Sequence, residues 1–392
     1  MKSKLLGLLA VTALMISAGS AARGQEILLG NLIASAGPFA TLTRTNAIAA
    51  EMAVDEINAA GGVGGKKLKI VSFDTAGKPE QAVVGLRKLA EDDKVMAIIG
   101  PFSSGECRVA FPAAERAGVV TMSMASSAPK LAEPFTYGLR NTSDEGYMFQ
   151  RVMKTLKDKG YPTATGAVAY ATDDVISKTM GEIVLPKIMA ASGTTMKTSV
   201  TFQTQAFDLS AQVSQLKADP ADLVGFGSGP DAAVRFVQEM RRQGLKGRLV
   251  AGSTIADSEL AKRMGEDGNG TMIPTTFFGG INDKAKAFEA EFVKRAKAAG
   301  IERSAASQFD AAAYDIVMFY AHAMKESKVT ADPDKLAAER TAIRDVLRAM
   351  PPYPALEGPI SFGKNGDAIK PVYIIEMKSG KWDLIATHPA GS

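Results

Sequence analysis

The chain has 392 residues, 46% of them hydrophobic and 22% charged, and a formal net charge of +4. Such a length exceeds one ordinary core, so two lobes are expected, and so weak a charge argues against nucleic acid as a partner. Cys107 is the only cysteine, which excludes an intrachain disulfide, and two histidines, His322 and His388, give no material for a metal cluster or a His-based triad.

In chain order, Lys2 and Lys4 precede an apolar run over 5–18 and the small residues Ser20, Ala21 and Ala22, the pattern of a cleaved signal peptide over 1–22. The run is too short to span a bilayer. No cysteine stands at the cleavage site to carry a lipid, so a released, exported protein is expected. Loss of two lysines with the leader lowers the charge from +4 to +2.

Residues 26–127 read as repeated strand–helix pairs: strand 26–34, helix 41–60, strand 67–73, helix 79–92, strand 95–99, a further helix, and strand 119–124. Alternation of this kind implies a parallel sheet covered by helices, with ligands at the loops beyond the strand ends. Those loops are Gly100-Pro101-Phe102-Ser103-Ser104-Gly105 and Ala125-Ser126-Ser127-Ala128-Pro129. Each is expected to place hydroxyls just before a helix start, where free N–H groups favour an anion; serine also serves such positions simply as a cap. Arg44 in the first turn of the first helix opposes the helix dipole, which leaves it either facing solvent or reaching a ligand carboxylate with bidentate geometry.

After Arg140 the pattern restarts: helix 144–159, strand 166–170, helical residues to 192, strand 196–202, helix 209–218, strand 223–227, helix 231–243 and strand 249–252. Helices over 285–299, 311–325 and 335–350 follow, then a strand at 359–362 and a hairpin of 372–376 with 382–385. The glycine cluster 61–65 follows a helix and is a turn, not a dinucleotide fingerprint, and no GxxxxGK[ST] occurs, so enzyme readings find no support.

The segments GPFATLTRTNAIAAEMAVDEINAAGG and VMAIIGPFSSG, with YDIVMFYAHAM around Tyr314 and GPISFGKNGD from Gly358, resemble the type I periplasmic binding proteins of the leucine/isoleucine/valine-binding family over essentially the whole mature chain. The resemblance implies an α/β fold of two Rossmann-like lobes with parallel sheets joined by a three-strand hinge. Lobe 1 would take 26–144 and 276–362, and lobe 2 would take 145–275 and 363–392. It also implies a periplasmic, monomeric receptor without catalysis or cofactor, which closes round an organic acid or amino acid and presents it to an ABC permease. A ligand sensor reporting to a membrane regulator is the remaining reading.

Residue by residue, Ser104, beside Phe102, falls where the family's serine binds the ligand carboxylate, and Ala125, Ser126 and Ser127 fall on its carboxylate loop. On the facing lobe Val175 and Gly229 replace aromatic residues, and Ser253, followed by Thr254, replaces the glutamate that pairs with a ligand ammonium. Leu42 replaces a first-lobe aromatic and Gln308 a phenylalanine. An ammonium removed from water needs a negative partner. Without that glutamate the expected ligand is an aromatic or other apolar carboxylate. A branched-chain amino acid or amide is the alternative, with Asp174, beside Asp173, as substitute partner.

Overall fold

The apolar run Ile27–Ile33 forms β1, flanked in parallel by β2 (Leu68–Asp74) and β3 (Ala97–Ile99), with β4 (Val120–Ser123) and β5 (Gly138–Arg140) beyond β3. Its residues are buried on both faces because helices cover the sheet. These are α1 (Ala40–Thr43), α2 (Asn46–Ala59), α3 (Pro79–Arg87) and α4 (Ser104–Ala117). The computed structural model describes residues 26–391 apart from Pro38, and the expected signal peptide lies outside the described residues.

The second sheet begins after α5 (Glu145–Asp158) with β6 (Thr165–Ala171), the helices α6 (Val175–Thr179) and α7 (Leu185–Ala191), and β7 (Thr195–Phe202). It continues through α8 (Ser210–Ala218), β8 (Leu223–Gly227), α9 (Pro230–Gln243), β9 (Arg248–Ala251), α10 (Ser258–Met264) and β10 (Met272–Thr275). The chain then crosses back: α11 (Asp283–Ala298) and α12 (Gln308–Glu326) pack on α2, and α13 (Leu336–Ala349) packs on α12. α12 is buried on nearly every side, as its run of alanines and aromatics requires. A small antiparallel sheet of β11 (Tyr353–Ala355), β12 (Gly358–Phe362) and β13 (Ala368–Ile369) precedes the antiparallel hairpin β14 (Val372–Lys378) and β15 (Lys381–His388). That hairpin extends the second sheet beside β10.

The chain passes between the two sheets three times, and one buried ion pair touches every passage. Lys370 and Glu357 are fully buried against each other; Lys370 Nζ donates to the Asn141 carbonyl at 2.8 Å, and Glu357 accepts from Thr276 Oγ1 at 3.1 Å. Arg140 adds a second tie, its Nε donating to Asp367 Oδ1 at 2.6 Å.

Three expectations change. The helix expected over 41–60 breaks at Arg44 and Thr45, because neighbouring threonines bond elsewhere: Thr43 Oγ1 to the Ala34 carbonyl, and Thr45 Oγ1 to Asp310 Oδ1 at 2.7 Å. No helix follows Ser126–Pro129. Side chains satisfy the backbone there: Ser123 Oγ accepts from the N–H groups of Ala125 and Ser126, and Arg140 Nη1 donates to the carbonyls of Ser126 and Ala128. Short β5, β10 and α10 escaped sequence reading, each being too brief to show a period.

Candidate functional site: the cleft between the lobes

The strand ends of both sheets face one cleft, and the lobes meet across it. Arg303, in the loop before α12, donates to Asp257 Oδ2 of the second lobe at 2.6 Å, with both side chains nearly inaccessible. Ser304 beside it donates to Glu259 through its N–H at 2.8 Å and its hydroxyl at 2.7 Å. At another point Val175 lies over the start of α4, its Cγ2 at 3.8 Å from where a Cβ on Gly105 would stand.

On the first lobe, Ser103 caps α4 in a reciprocal arrangement with Glu106, which also accepts from Thr75 Oγ1 at 2.5 Å. Ser104, the first helical residue, is buried, and its Oγ accepts the Ala128 N–H at 3.3 Å, so the two serine loops are tied together. Arg140 holds the second loop from beneath. The structure therefore brings Ser104, Ala125, Ser126 and Ser127 into one polar corner. Phe102 packs edge-on to Phe309 (5.1 Å) and near Phe39 (5.8 Å), an aromatic wall next to that corner.

On the facing lobe, Gly229 caps α9 with Pro230 in its first turn, and Thr254 Oγ1 donates to the Ser228 carbonyl at 3.3 Å. Val175 and Asp174 line a cavity of 300 Å³ with Phe39, Phe102 and Gly105. Asp174 is committed there to capping α6, accepting from Ser177 N–H (2.8 Å) and Oγ (2.7 Å), and Asp173 holds Thr204. Asp174 is engaged by its own helix start and Asp173 by the loop after β7.

Leu42 and Arg44 sit elsewhere along the cleft. They line a separate space of 210 Å³ with Pro230, Asp257, Arg263 and Arg303, and Arg44 is exposed. Gln308 crosses between lobes: its Nε2 donates to the Ser253 carbonyl at 2.9 Å, while its Oε1 accepts from Thr276 N–H at 2.9 Å. Its other flank faces an apolar cavity of 560 Å³ walled by Phe277, Phe278, Ile375 and Trp382.

One functional candidate escaped the sequence. Glu145, the first residue of α5, is fully buried between Ser127 and Ser253: its carboxyl accepts from Ser253 N–H at 2.7 Å and Ser253 Oγ at 3.2 Å, and its own N–H donates to the Ser127 carbonyl at 3.0 Å. Burial pushes its carboxyl above the usual range, against the pull of those bonds. Nothing local in the DEG triplet at Asp144–Gly146 announces this role, because its partners lie in loops remote in sequence. Asn46 at the start of α2, and Ser126 and Ser228 just past β4 and β8, have buried atoms without a hydrogen-bonding partner among the described residues, and buried groups of this kind normally have one.

Two parallel-sheet lobes, three crossings and a polar corner inside the cleft define a two-lobed solute-binding protein. The chain belongs to the periplasmic binding protein family, whose model matches residues 26–381. It is 27% identical to Leu/Ile/Val-binding protein homolog 1 of Brucella melitensis, over 98% of this chain and 97% of the relative. In fold it is similar to the branched-chain amino acid transporter substrate binding protein of Streptococcus pneumoniae solved with isoleucine (TM-score 0.79, 23% identity, covering 93% of this chain and 99% of that one). It is equally similar to an ABC transporter solute binding protein of R. palustris solved with benzoate (TM-score 0.79, 17% identity, covering 94% and 98%). The family is one of transport binding proteins and not of enzymes.

Proposed function

We propose that this protein captures a small aromatic or other apolar monocarboxylate in the periplasm, closes its lobes round it, and delivers it to an ABC permease. The observation that carries the reading is the contrast within the cleft. A polar corner of Ser104, Ser126 and Ser127 suits a carboxylate, and the wall of Phe39, Phe102 and Phe309 suits a flat apolar body. Small side chains at Val175 and Gly229 leave width on the other lobe. The benzoate-bound relative of the same fold supports this class of ligand.

A branched-chain amino acid is the second reading, and Glu145 is what favours it. A buried carboxyl stands against Ser253 after all, although position 253 itself carries none. The isoleucine-bound relative is in keeping with it. Thermal-shift measurement over benzoate, phenylpropanoid acids, aliphatic keto acids, amides and branched-chain amino acids separates the two. A ligand at about a thousand times its Kd adds about 4 kcal/mol to the folded state. Benzoate-like acids should give the largest shift; leucine or isoleucine giving it instead would overturn the organic-acid reading.

A further inference from the structure

A carboxyl group that touches a serine hydroxyl decides, by its own proton, what that hydroxyl can offer to anything else. An ionised carboxylate only accepts, so the hydroxyl must donate to it and turn its lone pairs outward. A neutral carboxyl accepts on one oxygen and donates from the other, and a serine that receives that proton has its own O–H free to turn away.

Glu145 has the geometry for this. Its Oε1 takes the Ser253 N–H at 2.7 Å, a bond either form can accept, while its Oε2 lies 3.2 Å from Ser253 Oγ. Ser127 belongs to the opposite lobe, and its carbonyl accepts the Glu145 N–H at 3.0 Å. The carboxyl fits only because residue 252 is glycine: a Cβ there would stand 2.3 Å from Oε1. The charged group acting on it is Asp144, which caps α5; Ser127, Gly252, Ser253 and the nearby Met180 are all uncharged.

We propose that Glu145 is a specificity-determining residue, orienting the hydroxyl of Ser253 so that the closed cleft accepts an anionic head group when Glu145 is neutral and a cationic one when it is ionised. The inference rests on the reading of this cleft as the ligand site. An organic anion therefore binds together with a proton. Because burial already raises the carboxyl above its ordinary range, the neutral form is reachable without strongly acidic solution. The neutral fraction falls as pH rises, so affinity for an anion falls with it, by at most tenfold per pH unit. An amino acid, carrying an ammonium, binds the ionised form and takes up no proton.

The test is calorimetry of wild type and Glu145→Gln with benzoate and with leucine, from about pH 5 to about pH 8 and in buffers of different ionisation enthalpy. Gln keeps one acceptor and gains donors, so it mimics the neutral acid. Wild type should bind benzoate with proton uptake and weaken as pH rises, and Glu145→Gln should bind it within a few-fold of the low-pH wild-type value at every pH. A wild-type profile without pH dependence, or loss of benzoate binding in Glu145→Gln, overturns the proposal. If leucine alone binds, the organic-acid reading fails while this inference is still tested: Glu145→Gln must then lose leucine at least tenfold, and an unchanged leucine affinity overturns it.

Discussion

Replacing Arg303 by Met should shift the protein towards its open form and weaken ligand binding without touching the binding corner. The guanidinium belongs to the loop before α12, on the first lobe, and its partner Asp257 caps α10 on the second. A charge-assisted hydrogen bond at 2.6 Å between nearly inaccessible groups contributes about 1.5–3 kcal/mol. The loss falls on the closed form, because an opened cleft lets water reach Asp257. Ser304 keeps its two bonds to Glu259, so the loop stays docked and the lower end of the range applies. Apparent affinity scales with the fraction of molecules able to close, so Kd should rise about tenfold. Small-angle scattering of the unliganded variant should show a larger radius of gyration, and calorimetry the weaker Kd at unchanged stoichiometry. A Kd within twofold of wild type would refute the idea that this pair favours closure.

Two further outcomes are expected. Ser104→Ala removes both a hydroxyl from the polar corner and the acceptor of the Ala128 N–H, and should weaken ligand binding ten- to a hundredfold; unchanged affinity by calorimetry would remove Ser104 from the site. Cys107 is fully buried, and burial pushes its thiol up to about 12, so the native protein at about pH 8 should resist thiol reagents and melt at the same temperature with or without reductant. Rapid labelling of the folded protein would contradict that.

Much of the fold was legible because its long elements announce themselves. The run 26–34 is apolar except at Glu26 and Asn31, close to the continuous run of a doubly covered strand, and the 230–243 helix carries Pro at its start and Gly just past its end. What stayed hidden is set by tertiary partners. β5 is three residues long and exists because Arg140 is anchored by Asp367, more than two hundred residues later. The break at Arg44–Thr45 depends on Thr45 reaching Asp310 from across the lobe. The serine loop after β4 looked like a helix start because Ser-Ser-Ala-Pro has the right composition; side chains of Ser123 and Arg140 hold it open instead.

The site divides along the same line. Ser103, whose role as the cap of α4 follows from its own loop, was legible from sequence. The carboxyl that faces Ser253 was not: position 253 is a serine, and Asp173 and Asp174 are the acids nearest to Val175 in sequence. Those aspartates are bound to Ser177 and Thr204, and the carboxyl that does reach Ser253 comes from the hinge end of α5. Position-by-position comparison assumes that a lost side chain leaves its chemistry missing. In a cleft formed by two lobes, any residue whose helix starts at the crossing can supply that chemistry, provided the opposing backbone gives it room. Gly252 gives that room, which is why a carboxyl can stand against Ser253 without any sign of it at position 253 itself.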